Sequence, residues 1–251
     1  MEGTVIIAFT NQKGGVGKST VAVNLAGYLY YVMGKELAII DCDPGQLSLV
    51  RLREREKQAV EKVDQYKEMI MLQWEKLKKK AYPLISSSPK AVKGDIQELL
   101  SSDTRYDLII IDLPGTISTE GVLSTIVNAD YVMTPLVADR FDMQSTLGFA
   151  SAVRDYMKGR DNIPMKDFIF FWNKVDRRVS TEIFDSYSKI VKKLDFFTMK
   201  TILPDLSRFG REMSFLGKPF FRCTLMPPTP KLLKDSNLEE FAQEFCNHIN
   251  I

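Results

Sequence analysis

The chain has 251 residues, 45% of them hydrophobic, with 34 Lys and Arg against 32 Asp and Glu for a net charge of +2. That length can bury a full α/β core. The near-neutral balance names no partner, so any nucleic-acid signal has to come from local clustering. No run approaches the ~18 apolar residues of a membrane-spanning helix. Cys42, Cys223, Cys246 and the lone His248 are too scattered for a zinc or redox site. A cytoplasmic protein with reduced thiols is expected. The apolar run Val5–Phe9 leads at once into a glycine loop, where a secretory leader would have stood.

Short β-branched apolar runs alternate with longer helical stretches, the rhythm of βα units. Strands are expected at Val5–Phe9, Leu37–Asp41, Tyr82–Ser86, Leu108–Asp112, Tyr131–Pro135, Phe168–Trp172 and Met199–Leu203. The prediction is a doubly wound, mostly parallel sheet flanked by helices, with residues 1–251 as one domain. After the first strand comes Asn11-Gln12-Lys13-Gly14-Gly15-Val16-Gly17-Lys18-Ser19-Thr20. The phosphate-loop pattern Gly-x-x-x-x-Gly-Lys-Ser is complete except that Gln12 stands at its first glycine. Gly14, Gly15 and Gly17 let the backbone curl into an anion nest, and a helix starting near Lys18 adds its positive end. Lys18 is expected on the β- and γ-phosphates and the Ser19 hydroxyl on Mg²⁺.

Lys13-Gly14-Gly15-Val16-Gly17-Lys18-Ser19-Thr20 resembles the deviant Walker A motif of the ParA/MinD family of ATPases, a branch of the P-loop fold. The resemblance implies that Lys13 reaches across a homodimer interface to the partner's ATP, as an arginine finger does. The plainer alternative is a solvated loop cation.

Further along, Asp41-Cys42-Asp43-Pro44-Gly45-Gln46 closes the second strand. It resembles the family's Asp-x-Asp-Pro-Gln element, which implies that Asp43 orients the attacking water and Asp41 supports the Mg²⁺ shell. Gly45 before Gln46 departs from that pattern, and a simple turn is the competing reading. The charged segment Arg51–Lys80 carries Val60, Val63, Tyr66, Ile70, Trp74 and Leu77 on one helical face. It reads either as a long solvated helix packed on the domain or as a partner contact through Trp74. The run ending in Asp112-Leu113-Pro114-Gly115 reads as a strand closing in a Walker B aspartate that holds Mg²⁺ through water, followed by a switch loop. Gly115 replaces the family's usual proline or alanine.

Asn173-Lys174-Val175-Asp176 has the form of a guanine-reading element, and the resemblance also permits Asn173 to read adenine. Ile202-Leu203-Pro204-Asp205 and Ser214–Pro219 resemble the family's adenine-side loop and the segment following it, which favours ATP over GTP. The resemblance runs from Val5 to about Phe245 and is weak across Arg51–Lys80. From Lys174 to Lys234 there are 13 Lys and Arg against 6 Asp and Glu, and none of either cation from Asp235 onward. The acidic tail argues against a membrane-targeting helix. Arg177, Arg178, Lys192, Lys193, Arg208, Arg211 and Arg222 suit sequence-independent binding of duplex DNA, or simply a solvated surface.

The combined expectation is an ATP- and Mg²⁺-dependent dimeric switch in DNA partition, or in the maintenance or transfer of a plasmid or conjugative element. As in the family, a partner protein would stimulate it. The start of the fold at Val5 resembles the short, plasmid-type members. Rival readings are a GTPase using Asp176, a MinD-like positioning ATPase without DNA binding, and a scaffold that binds nucleotide without hydrolysing it. A reductase like nitrogenase iron protein would need cluster-ligand cysteines that the sequence does not supply.

Overall fold

Seven strands make one parallel sheet in a computed structural model that describes residues 3–43, 48–116, 119–160, 162–176, 178 and 181–251. In chain order they are β1 (Val5–Phe9), β2 (Leu37–Asp41), β3 (Leu84–Ser86), β4 (Leu108–Asp112), β5 (Tyr131–Leu136), β6 (Asp167–Trp172) and β7 (Phe197–Thr198). The helices are α1 (Lys18–Tyr31), α2 (Ser48–Lys62), α3 (Asp64–Leu77), α4 (Val92–Leu100), α5 (Val122–Val127), α6 (Arg140–Met157), α7 (Thr181–Lys193), α8 (Pro230–Leu233) and α9 (Leu238–Ile249).

The strand order is β3-β2-β4-β1-β5-β6-β7. The chain therefore winds outward on one side of β1 and later on the other, and β1 is where the order reverses. Open α/β sheets bind ligands beyond the carboxyl ends of the strands at such a switch point. Register puts Asp41 level with Asp112 and Phe9 level with Asp112. The acidic strand ends and the glycine loop following Phe9 thus meet at one edge.

Alternation along the strands divides the core. Ile7, Phe9, Ile39, Ile110, Met133 and Phe171 pack with α1 and α9 on one face. Ala8, Ile40, Ile109, Ile111, Val132 and Phe170 pack with α4, α5, α6 and α7 on the other. Coverage on both faces explains why these strands read as continuous apolar runs.

Two expected elements differ. Met199–Leu203 is not a strand; the last strand is Phe197–Thr198. Met199 N and Leu203 N still donate to Phe170 O and Trp172 O on β6. Between them, Lys200 N and Thr201 N donate to the Glu244 carboxylate of α9 at 2.7 and 2.8 Å. That side chain takes the donors a continued ladder would use.

The segment Arg51–Lys80 is two helices rather than one, broken at Val63, whose backbone is extended (φ −119°, ψ 107°). The bend inserts Tyr66 into a third cluster with Ala59, Met213, Phe220, Cys223 and Met226. Its hydroxyl donates to Lys218 O at 2.8 Å. Of the expected apolar face, Leu77 packs against the main core, whereas Trp74 stays 46% exposed.

α2 is also fixed by polar groups. Its buried Glu56 accepts from Thr224 N at 3.0 Å and from the Thr224 hydroxyl, while Arg53 donates to Thr224 and to Tyr82 O. Burial pushes the Glu56 carboxyl up to about 7 against the opposing pull of the Thr224 hydrogen bonds and Arg53. The folded state therefore holds this proton more tightly than the unfolded chain, whose value is about 4.5. The resulting stability is present below about 4.5 and is lost as pH rises to about 7. Urea unfolding should show a decline on the order of 1–3 kcal/mol across that window in wild type. Glu56→Gln should be flatter there, and identical slopes would remove the assignment.

Candidate nucleotide site

The loop Asn11–Gly17 runs from the end of β1 to the start of α1. Gly15 (φ +78°) and Gly17 (φ +89°) lie in the left-handed region that favours glycine. Two side chains following β6 lock the loop. Asn173 Nδ2 donates to Val16 O at 2.8 Å and Lys174 Nζ to Gly15 O at 2.6 Å. A Cβ on Gly17 would lie 2.5 Å from Asn173 Nδ2.

The head of the loop rests on α6. Asp139 caps that helix, accepting from Phe141 N and Asp142 N. Asp142, Ser145 and Thr146 then share a face by their three- and four-residue spacing. Ser145 Oγ donates to Gln12 Oε1 at 2.9 Å, and Thr146 Oγ1 donates to Asn11 Oδ1 at 3.5 Å. Asp142 lies 3.9 Å from Lys13 Nζ, a loose pairing for a side chain 45% exposed.

Lys18, in contrast, is nearly buried. Its amine pairs with Asp112 Oδ1 and donates to Ser19 Oγ at 3.3 Å. Asp112 Oδ2 is buried and, among the described residues, has no hydrogen-bond partner. Asp41 is fully buried beside it. Its Oδ2 accepts from Leu49 N (3.0 Å) and Val50 N (3.3 Å), and its Oδ1 accepts from Asp43 N at 3.3 Å. Both oxygens thus serve backbone, Oδ2 at the start of α2 and Oδ1 just after β2. Burial, then the Asp112 charge, raises its pKa.

Beyond the loop opens a cavity of about 670 Å³. Residues 13–21 form one wall, with Asp43 and Gly115 at the phosphate-loop end. Asn173 and Lys174, which clamp the loop, also line the cavity, as do Pro204, Asp205, Leu206, Ser207, Phe209, Gly210 and Arg222. Lys13, Gly14, Gly15, Val16, Gly17, Lys18, Ser19, Thr20, Asp43, Asn173, Pro204 and Asp205 all line this one space. Gly45 and Gln46 lie outside the described residues. A Cβ on Gly115 would meet Lys13 O and Asn11 O at 3.6 and 3.7 Å, ordinary contact that leaves room for an alanine.

The groups suit a polyphosphate with a divalent cation. A glycine loop leading into a helix N-terminus, with a buried lysine, binds phosphate. Ser19 and the unpartnered Asp112 oxygen are hard ligands of the kind magnesium takes alongside phosphates and water. Asp176 goes elsewhere: it is held by Arg178 through both carboxylate oxygens, at 2.6 to 3.1 Å, and its pKa is lowered to about 2 by that partner.

The model of the CobQ/CobB/MinD/ParA nucleotide-binding domain matches residues 7–215. The chain belongs to this family. It is 30% identical over 167 residues to the chromosome-partitioning ATPase Soj of Thermus thermophilus, an alignment covering 61% of this chain. The chain spans only 63% of that relative's length. Its fold is that of pNOB8 ParA bound to nonspecific DNA, at a TM-score of 0.60 and 18% identity, covering 98% of this chain and 99% of the other. A plasmid partition protein of Borrelia burgdorferi B31 bound to AMPPNP gives 0.59 and 17%, covering 98% and 100%.

The motif-bearing residues of this ParA/MinD-family chain come together, but not all of its basic stretch is free on the surface. Arg177 lies outside the described residues, and Arg178 is committed to Asp176. Arg208 donates to Lys234 O, and Arg222 lines the cavity. Lys192, Lys193 and Arg211 are exposed. Sequence reasoning missed Lys174 as a loop clamp, although it adjoins Asn173. It also missed α6, for which no motif gives a signal.

Gly17→Ala should weaken nucleotide binding by about 100-fold. It forces a left-handed alanine against Asn173 at a cost of roughly 1–3 kcal/mol and displaces the loop. Calorimetric titration with ADP checks this; near-native affinity would contradict the packing.

Proposed function

We propose that the chain is a Mg²⁺-dependent ATPase that dimerises on ATP and separates after hydrolysis. Its work on this reading is DNA partition, or maintenance or transfer of a plasmid or conjugative element. The observation that carries it is the contrast between the two lysines of one loop. Lys18 is buried on Asp112, while Lys13 is half-exposed at the cavity and only loosely tied to Asp142. A cation left outward beside a phosphate site is suited to a second subunit's nucleotide.

In this scheme Lys18 transfers from Asp112 to the β- and γ-phosphates, and the loop N–H groups hold them. Ser19 and Asp112 would hold magnesium, which supplies neutralisation of phosphate charge. Asp41, engaged by backbone, orders the surrounding loop. Asp43 on the cavity lining orients the attacking water, and Lys13 of each subunit meets charge developing on the other's γ-phosphate. Pro204 and Asp205 border the base, with Asn173 fixing the loop beneath it. The likeness of the Pro204-Asp205 segment to the family's adenine-side loop supports ATP over GTP, and both residues line the cavity.

DNA binding on this reading falls to Lys192, Lys193 and Arg211 from the paired subunits, and a separate protein stimulates turnover. A membrane role has little support. The tail helix α9 buries Leu238, Phe241, Phe245 and Ile249 against the domain, and no helix among the described residues is long and apolar enough to span a bilayer.

Sizing by light scattering should show dimers with ATP and monomers with ADP or GTP, and Lys13→Ala should stay monomeric with ATP. ATP-bound monomers in wild type would end the switch reading. ATP-loaded protein should shift arbitrary duplex DNA. With about five phosphate contacts, affinity should fall roughly 500-fold between 50 and 200 mM salt. No shift at low salt would remove DNA from the account.

A further inference from the structure

Arg222 sits where a surface cation was expected, yet its side chain is only 16% exposed. The backbone explains its position. Phe221 N and Arg222 N both donate to Arg211 O, at 2.8 and 2.9 Å, which lays Arg222 beside the 3-10 turn Ser207–Gly210. Asn24 of α1 holds that turn through Phe209 O at 3.3 Å. Arg222 therefore lines the same cavity as Pro204, Leu206, Phe209 and the phosphate loop.

Its charge is incompletely matched. Nη1 lies 3.5 Å from Glu212 Oε1, while Glu212 Oε2 is already taken by Arg55 of α2 at 2.8 Å. Two guanidinium groups thus share one carboxylate. Arg222 Nε is buried and, among the described residues, has no hydrogen-bond partner. A largely buried cation with surplus charge and an unused donor is costly unless something compensates it. Arg222 also lines the cavity.

We propose that Arg222 contacts the nucleoside half of a bound purine nucleotide, an assignment that rests on the nucleotide reading above. The phosphates already have the glycine loop, Lys18 and Ser19 at the other end. A planar guanidinium on a wall of proline, leucine and phenylalanine matches a purine face or ribose oxygens. Glu212, itself tied to Arg55 of α2, lies against that guanidinium.

Calorimetry with ADP and with inorganic tripolyphosphate separates the two halves of the site. Arg222→Ala should weaken ADP about ten-fold and leave tripolyphosphate within about two-fold, as a cation–aromatic contact of that strength implies. Arg222→Gln, closer in size, carries the same expectation should the alanine variant fail to fold. Lys18→Ala should lose both ligands. Unchanged ADP affinity, or equal loss of both ligands, overturns the assignment of Arg222 and leaves the nucleotide site standing. A wild-type chain that binds neither ligand overturns the nucleotide reading and this assignment with it.

Discussion

Lys18 is an ammonium group held at the carboxyl edge of a parallel sheet, nearly out of water, with Asp112 as its counter-charge. An ammonium in that position needs an anion within reach at all times, because an unpaired buried charge is costly. Asp112 can meet that need because β4 lies next to β1, in a register that sets its last residue level with the last residue of β1. The glycine loop then brings the first turn of α1 over it. On the proposed reading, a polyphosphate entering the loop would offer a stronger anion to the same amine and release Asp112.

Around that exchange, α2 touches both ends of the site. At its start, Leu49 N and Val50 N lean on Asp41, the neighbour of Asp112. Farther along, Arg53 and Glu56 clamp Thr224, and Arg55 reaches Glu212 beside Arg222. The charged segment that interrupts the family pattern is thus anchored to the cavity through its own polar side chains. Its exposed Trp74 faces outward from the same elaboration.

Much of this was legible along the chain. β1, β2 and β4 fall on the residues expected, since runs buried on both faces have little freedom to be anything else. The loop was legible because phosphate binding demands glycine at particular conformations and a lysine at one spacing. Errors appeared wherever a distant partner decided the outcome. Glu244 of α9 ends the last strand early, and packing of Tyr66 against Phe220 bends the supposed single helix. Arg222 and Arg208 looked like members of a basic surface because charge counting ignores burial.

Local chemistry determined the family, the phosphate loop, the acidic strand ends and the alternation of strand with helix. These depend on spacings within a few residues, where covalent geometry leaves few choices. Only the tertiary structure decided that Asp41 serves the start of α2, that Glu56 holds Thr224, and that Arg222 lines the cavity. Each is a contest among alternative partners for one charged group, and its outcome depends on which chains the sheet order and the packing of α2 bring within hydrogen-bonding distance.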